Sequence, residues 1–218
     1  MKKLIIFDLD GTLLDTVDDI LFTLNTTLEK YGLRTLKREE LIGKLGYGAK
    51  KLVELAVGDI EKTQIEIVYQ DYVSMLAKCD NSRTYLYSGL DVTLKALKND
   101  GYKLAVVSNK PDDAVQSVCK DKLSEYGFDF IMGNIPGAIN PKPDKSCVEY
   151  CLKNVGVDKV DAVYVGDSEV DVQTFLASDI DGIGVLWGFR SEKILKEAGC
   201  IRFASTGEEL YASIKSLK

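Results

Sequence analysis

The chain contains no histidine. That single absence removes Ser-His-Asp and Cys-His nucleophilic catalysis, histidine metal sites and phosphohistidine chemistry together. Hydrolytic chemistry, if present, must run on carboxylates, hydroxyls, lysines or a hard metal ion. Cysteine is sparse: Cys79, Cys119, Cys147, Cys151 and Cys200 are odd in number and form no Cys-x-x-Cys pair, so neither a zinc ribbon nor a disulfide framework is indicated. Cys147 and Cys151 stand one helical turn apart and read as packing residues. No apolar run approaches the roughly 18 residues of a membrane helix. The apolar opening at residues 4–7 stops at Asp8, short of the roughly 7–15 residues of a secretory signal, which predicts a cytoplasmic protein. There is no excess of positive charge either: 28 basic against 34 acidic residues give a net charge of −6, which argues against a broad nucleic-acid surface.

What is present fits an ordinary globular chain. Its 218 residues, 45% hydrophobic and 28% charged, suffice for one full domain or a domain with a modest insert. Short apolar runs at 4–7, 104–107, 128–132, 162–165 and 183–186 read as buried strands. Helical patterns near 91–99, 112–126, 144–154, 171–177 and 192–197 separate them, several opening on an aspartate suited to a helix N-terminus. Strands alternating with helices predict an α/β fold, a parallel sheet covered on both faces. Residues 16–83 break this rhythm with amphipathic patterns at 20–31, 49–57 and 61–78 and no strand. The expected organisation is therefore a Rossmann-like core of residues 1–15 and 84–218 carrying an inserted all-helical cap at 16–83.

Three of the expected strands run into polar clusters: Asp8-Leu9-Asp10-Gly11-Thr12, Ser108-Asn109-Lys110, and Gly166-Asp167-Ser168-Glu169-Val170-Asp171. Ligands of open α/β sheets bind at the carboxyl ends of strands, so these clusters can converge. A fourth segment, Asn140-Pro141-Lys142-Pro143-Asp144, holds a lysine between two prolines that restrict its backbone. Asp8, Asp10 and Asp167 brought together repel one another, and a divalent hard cation such as Mg²⁺ resolves the conflict. Ser108, Asn109 and Lys142 add hydroxyl, amide and cationic donors for phosphate oxygens. The combination points to phosphoryl transfer. Each part has a plainer reading: Asp-x-Asp-Gly as a turn, Lys142 as a surface lysine, Glu169 and Asp171 as helix N-terminal charges.

At these four segments, in this order, the chain resembles haloacid dehalogenase-type phosphatases with a helical cap inserted after the first strand. Within them it is most similar to phosphoglycolate phosphatases, through Gly46-Tyr47-Gly48-Ala49 and Trp187-Gly188-Phe189-Arg190. It departs from many relatives in carrying Ser108 for threonine, which keeps the hydroxyl, and Ser88 for proline, which loosens the second crossing into the insert.

The resemblance implies that Asp8 attacks phosphorus and forms an aspartyl-phosphate, while Asp10 serves as acid and then base. It implies Mg²⁺ held by Asp8, the Asp10 main-chain carbonyl and Asp167. Ser108, Asn109 and Lys142 bind the phosphoryl group, Thr12 orients the first loop, and Gly11 lets that loop turn away. Asp171 anchors Lys142 or a metal-bound water. Tyr47, Lys50, Lys51 and Arg190 either contact the leaving group or form solvated surface. The expected substrate is a small phosphorylated metabolite, foremost 2-phosphoglycolate, acted on by a monomer or homodimer with no nucleic-acid or membrane partner. The alternatives are a pyrophosphatase, a broad sugar-phosphate or nucleotide phosphatase, a phosphomutase, and a phosphate-binding regulator without turnover. A dinucleotide-binding dehydrogenase is excluded, because its glycine fingerprint belongs where Asp8-Leu9-Asp10-Gly11 stands.

Overall fold

The computed structural model describes residues 2–217. Six strands form one parallel sheet: β1 (Leu4–Phe7), β4 (Lys103–Pro111), β5 (Phe130–Asn134), β6 (Ala162–Gly166), β7 (Asp181–Val185) and β8 (Phe203–Ala204). Their order across the sheet is β5-β4-β1-β6-β7-β8. β1 is thus central, with Leu4 to Phe7 paired to Lys103–Val106 on one side and Ala162–Val165 on the other.

The apolar runs are continuous because both sheet faces are covered. Side chains alternate along a strand, so Ile5, Phe7, Leu104, Val106, Val163 and Val165 share one buried face. Against it pack α5 (Leu90–Asn99), α6 (Asp112–Lys122) and α10 (Gly207–Ser216) through Leu94, Val118 and Leu210. Leu4, Ile6, Ala105, Val107, Ala162 and Tyr164 face the other way, toward α7 (Ser146–Val155), α8 (Glu169–Ser178) and α9 (Glu192–Glu197). Cys147 and Cys151 are buried in this second layer.

Between the sheet's first strand and α5 lie α1 (Val17–Lys30), α2 (Arg38–Ile42), α3 (Ala49–Val57) and α4 (Lys62–Ala77). Val17, Ile20, Leu24 and Leu28 recur at helical spacing along α1 and meet Leu52, Val53, Val68, Tyr72 and Leu76 in a third cluster. The chain enters and leaves this region through two short antiparallel strands, β2 (Leu14–Asp15) and β3 (Tyr85–Leu86). Pairing them brings the two crossings side by side.

Several expectations need adjustment. The helix expected at 112–126 stops at Lys122 and continues as a single 3₁₀ turn, Ser124–Tyr126. The strands expected at 128–132 and 183–186 lie at Phe130–Asn134 and Asp181–Val185. α7 and α8 begin at Ser146 and Glu169 rather than at residues 144 and 171. β4 does not end before Ser108 but runs on to Pro111, with its pairing to β5 shifting register between Val107 and Pro111. That irregularity falls at the polar triplet, where β4 reaches the sheet's carboxyl edge. β2, β3, β8 and α2 were not anticipated, since two-residue strands and a five-residue helix leave no periodic signal; the ten-residue α10 was missed as well, although Leu210 and Ile214 stand at helical spacing.

Candidate active site

The carboxyl ends of β1, β4 and β6 and the segment before α7 bring their polar residues to one place. Asp8 leaves β1 with its amide donating to Val165 O at 2.9 Å. The chain then loops back, with Leu13 and Leu14 amides both donating to Leu9 O at 3.0 Å. Gly11 makes that loop possible: its φ is +88°, and a Cβ there would overlap the Asp167 carboxylate.

Lys142 is 5% exposed. Its ammonium sits 2.8 Å from Asp8 Oδ1 and 2.7 Å from Asp171 Oδ1. Asp171 is fully buried and engaged on both oxygens. It accepts from Lys142 Nζ and Tyr164 Oη on one, and from Ser168 N (3.1 Å) and Ser168 Oγ (2.6 Å) on the other. The Ser168 contacts also cap α8. Asp167, likewise buried, accepts from Thr12 Oγ1 (2.9 Å) and the Phe189 amide (2.8 Å). Thr12 therefore faces Asp167 and does not line the cavity described below.

Asn109 works as a bracket. Its Oδ1 accepts from the Lys142 amide (2.8 Å), and its Nδ2 donates to Lys142 O (2.9 Å) and to Gly46 O (3.1 Å). One side chain thus ties β4, the lysine segment and the α2–α3 connection. Ser108 Oγ accepts from the Lys110 amide at 3.3 Å. Asp10 Oδ1 accepts from Thr16 Oγ1 (2.6 Å) and from Lys110 Nζ (3.0 Å).

Electrostatics follow from burial. Exclusion from water, then the Asp171 charge, pushes the Asp8 carboxyl up to about 7 against the pull of Lys142. Asp167 is held well above the usual carboxylate range by burial and by Asp171 and Asp8. Burial pulls Lys142 down, but Asp171 and Asp8 outweigh it and keep the ammonium well above its ordinary value. Oxygens of Asp8, Asp167 and Asp171 lie within 4.8 Å of one another. Asp8 Oδ1 is buried with the Lys142 ammonium, 2.8 Å away, as its one partner among the described residues. Buried carboxylates crowded this closely fit a hard divalent cation such as Mg²⁺. Asp171 accepts two hydrogen bonds on each oxygen and Asp167 only one on each, so Asp8 and Asp167 are the carboxylates best placed to take it.

Above this cluster is a cavity of about 50 Å³. Asp8, Asp10, Ser108, Asn109, Lys110 and Lys142 line its floor, and Ile20, Leu45, Ala49, Leu52, Tyr72 and Leu76 its walls. The expected cap contacts are elsewhere: Lys50 pairs with Glu66 and Lys51 with Glu54 on the exposed face of α3. Tyr47 Oη donates to Glu169 Oε1 at 3.1 Å. Arg190 is buried, donating to Glu169 Oε2 (2.8 Å), Ile42 O (3.0 Å) and Leu45 O (2.8 Å). It is neither solvated surface nor a cavity residue, but a strut from the loop after β7 to the α2–α3 connection. Glu169 is taken up by these partners. Sequence reasoning gave Lys110 and Thr16 no part here; a lysine next to Pro111 at the end of an apolar strand was the available signal for the first. Among the described residues no helix is long and apolar enough to cross a membrane.

Comparison with known proteins agrees with this arrangement. The chain matches the profile described as haloacid dehalogenase-like hydrolase over residues 5–185. It is 28% identical over 98% of its length to the phosphoglycolate phosphatase of Colwellia psychrerythraea, covering 97% of that protein. It is 32% identical to phosphoglycolate phosphatase 1 of Pseudomonas aeruginosa, over 90% of this chain and 74% of that one. A crystal structure from Lactobacillus delbrueckii subsp. bulgaricus, named as a candidate phosphoglycolate phosphatase, superposes with a TM-score of 0.89 at 33% identity, covering 98% of this chain and 99% of the other.

Proposed function

Because this chain belongs to the haloacid dehalogenase-like hydrolase family and is a phosphatase most similar to phosphoglycolate phosphatases, we propose that it hydrolyses a small phosphomonoester, foremost 2-phosphoglycolate, through an aspartyl-phosphate on Asp8. The observation that carries this reading is the buried Asp8–Lys142–Asp171 array beside Asp167, at the floor of a cavity that also presents Asp10. Helices α1–α4 act as the cap over the core.

Asp8 attacks phosphorus in line; the Asp8 O–P bond forms as the ester O–P bond breaks. Asp10 gives a proton to the departing alkoxide. It then takes one from the water that attacks the aspartyl-phosphate and releases phosphate. Lys142 and the Ser108 hydroxyl hold the phosphoryl oxygens as charge develops, with Lys142 fixed by Asp171 and Asn109. Asp8, the Asp10 main-chain carbonyl and Asp167 would hold Mg²⁺, which supplies neutralisation of phosphoryl and carboxylate charge when bound. Thr12 and the Phe189 amide keep Asp167 aimed. The apolar side chains of α1, α3 and α4 close over these groups, which favours a short leaving group over a sugar or nucleoside.

The test is phosphate release from 2-phosphoglycolate, pyrophosphate, β-glucose 1-phosphate and nucleoside monophosphates, each with Mg²⁺ and with EDTA. The reading expects Mg²⁺-dependent release and a preference for 2-phosphoglycolate of about a hundredfold in kcat/KM, equivalent to about 2.7 kcal/mol. Preference for pyrophosphate, or equal rates across the panel, overturns the substrate assignment; release that survives EDTA overturns the metal assignment.

A further inference from the structure

The cavity has two cations on its floor, and the phosphoryl chemistry needs only one of them. Lys142 is bound between Asp8 and Asp171. Lys110, at the end of β4, also lines the cavity, with its side chain 7% exposed. Its Nζ donates to Asp10 Oδ1 at 3.0 Å, its one hydrogen bond among the described residues. An ammonium has three N–H donors, so two are left to face the cavity. The Thr16 hydroxyl donates to that same Asp10 oxygen at 2.6 Å. Asp10 is therefore positioned without Lys110, and its second oxygen is left to meet the leaving group. Burying an ammonium is costly unless it is matched by an anion. Here a single carboxylate oxygen, shared with Thr16, is all the protein offers it. Other cations near the cap are committed elsewhere: Lys50 to Glu66, Lys51 to Glu54, Arg190 to Glu169 and two carbonyls.

Resting on the phosphatase reading above, we propose that Lys110 is the specificity-determining residue of the site and binds a carboxylate carried by the leaving group one carbon from the ester oxygen. The leaving oxygen meets Asp10, and the neighbouring ammonium takes the anion beside it. The apolar walls from Leu45, Ala49, Leu52 and Tyr72 close around the short carbon link. The substrate class is a phosphorylated short 2-hydroxy acid, distinguished from neutral alkyl phosphates by charge and from sugar phosphates by size.

The test compares kcat/KM for 2-phosphoglycolate and ethyl phosphate, which differ by a carboxylate in place of a methyl. Wild type is expected to favour 2-phosphoglycolate by on the order of a hundredfold. In Lys110→Met that ratio falls to within about threefold, whatever loss the two esters share, and Lys110→Arg retains most of the discrimination. An unchanged ratio in Lys110→Met, or no preference in wild type, overturns the assignment. Hydrolysis of neither ester by wild type instead overturns the small-phosphomonoester assignment on which the proposal rests. A second measurement needs no variant: glycolate, and not ethanol, should inhibit ethyl phosphate hydrolysis competitively in wild type. Absence of that inhibition also overturns the proposal.

Discussion

The Lys142–Asp171 pair invites a double-mutant cycle. Lys142 Nζ lies 2.7 Å from Asp171 Oδ1, with side-chain exposures of 3% and 0%, and Asp8 Oδ1 lies 2.8 Å from the same ammonium. Asp171→Asn removes the charge that anchors Lys142 and turns an amide donor toward an ammonium donor or toward Ser168. Lys142→Met leaves Asp8 and Asp171 without their cation. Breaking a buried pair from one side costs about 3–5 kcal/mol. For a chain of this size each kcal/mol is about 2–4 °C. Each single variant should therefore melt about 6–20 °C below wild type in EDTA at pH 8. The double variant leaves no naked partner for either group, apart from Asp8, and should be more stable than the sum of the two losses by about 2–3 kcal/mol. Urea unfolding of the four proteins, followed by circular dichroism, measures the coupling. Losses that add to within about 0.5 kcal/mol would refute the claim that Asp171 acts on Lys142.

Two further outcomes follow from the same geometry. Asp8 is raised from 3.8 to about 7 and Asp167 well above its usual range, so the folded state binds protons that the unfolded state has released. Metal-free stability should then fall as pH rises from about 4 through 7, by about 1.4 kcal/mol per pH unit for each such group. Melting in EDTA between pH 5 and 8 checks this; saturating Mg²⁺ should flatten the decline, and metal-free stability rising with pH over that range contradicts it. At Gly188, a Cβ would stand 2.5 Å from Asp167 Oδ2. Gly188→Ala should weaken Mg²⁺ binding by about 10–100-fold in a calorimetric titration while leaving the circular dichroism unchanged; affinity within twofold of wild type would contradict the placement of Asp167.

The sheet was legible because strands buried on both faces spell themselves as uninterrupted apolar runs, as at 4–7 and 162–165. β8 and the β2–β3 pair were not, since two residues carry no period and their pairing is fixed by distant neighbours. The convergence of Asp8, Asp10, Asn109, Lys142 and Asp167 could be read from strand ends and like-charge crowding. Side-chain partners could not. Nothing local says that Asn109 brackets Lys142 and Gly46, or that Thr12 turns to Asp167. Arg190 looked like surface because a loop arginine usually is, yet the two carbonyls it satisfies lie about 145 residues away in sequence. Lys110 was overlooked because the resemblance assigns roles to the two residues before it, Ser108 and Asn109, and none to it.

The central claim is that Asp8 becomes phosphorylated. Wild type mixed with Mg²⁺ and 2-phosphoglycolate, quenched in acid during turnover and reduced with borohydride, should yield homoserine at position 8 within the tryptic peptide spanning residues 4–30. Asp8→Asn should yield none and release no phosphate. Homoserine at another aspartate, or wild-type turnover by Asp8→Asn, would contradict the account.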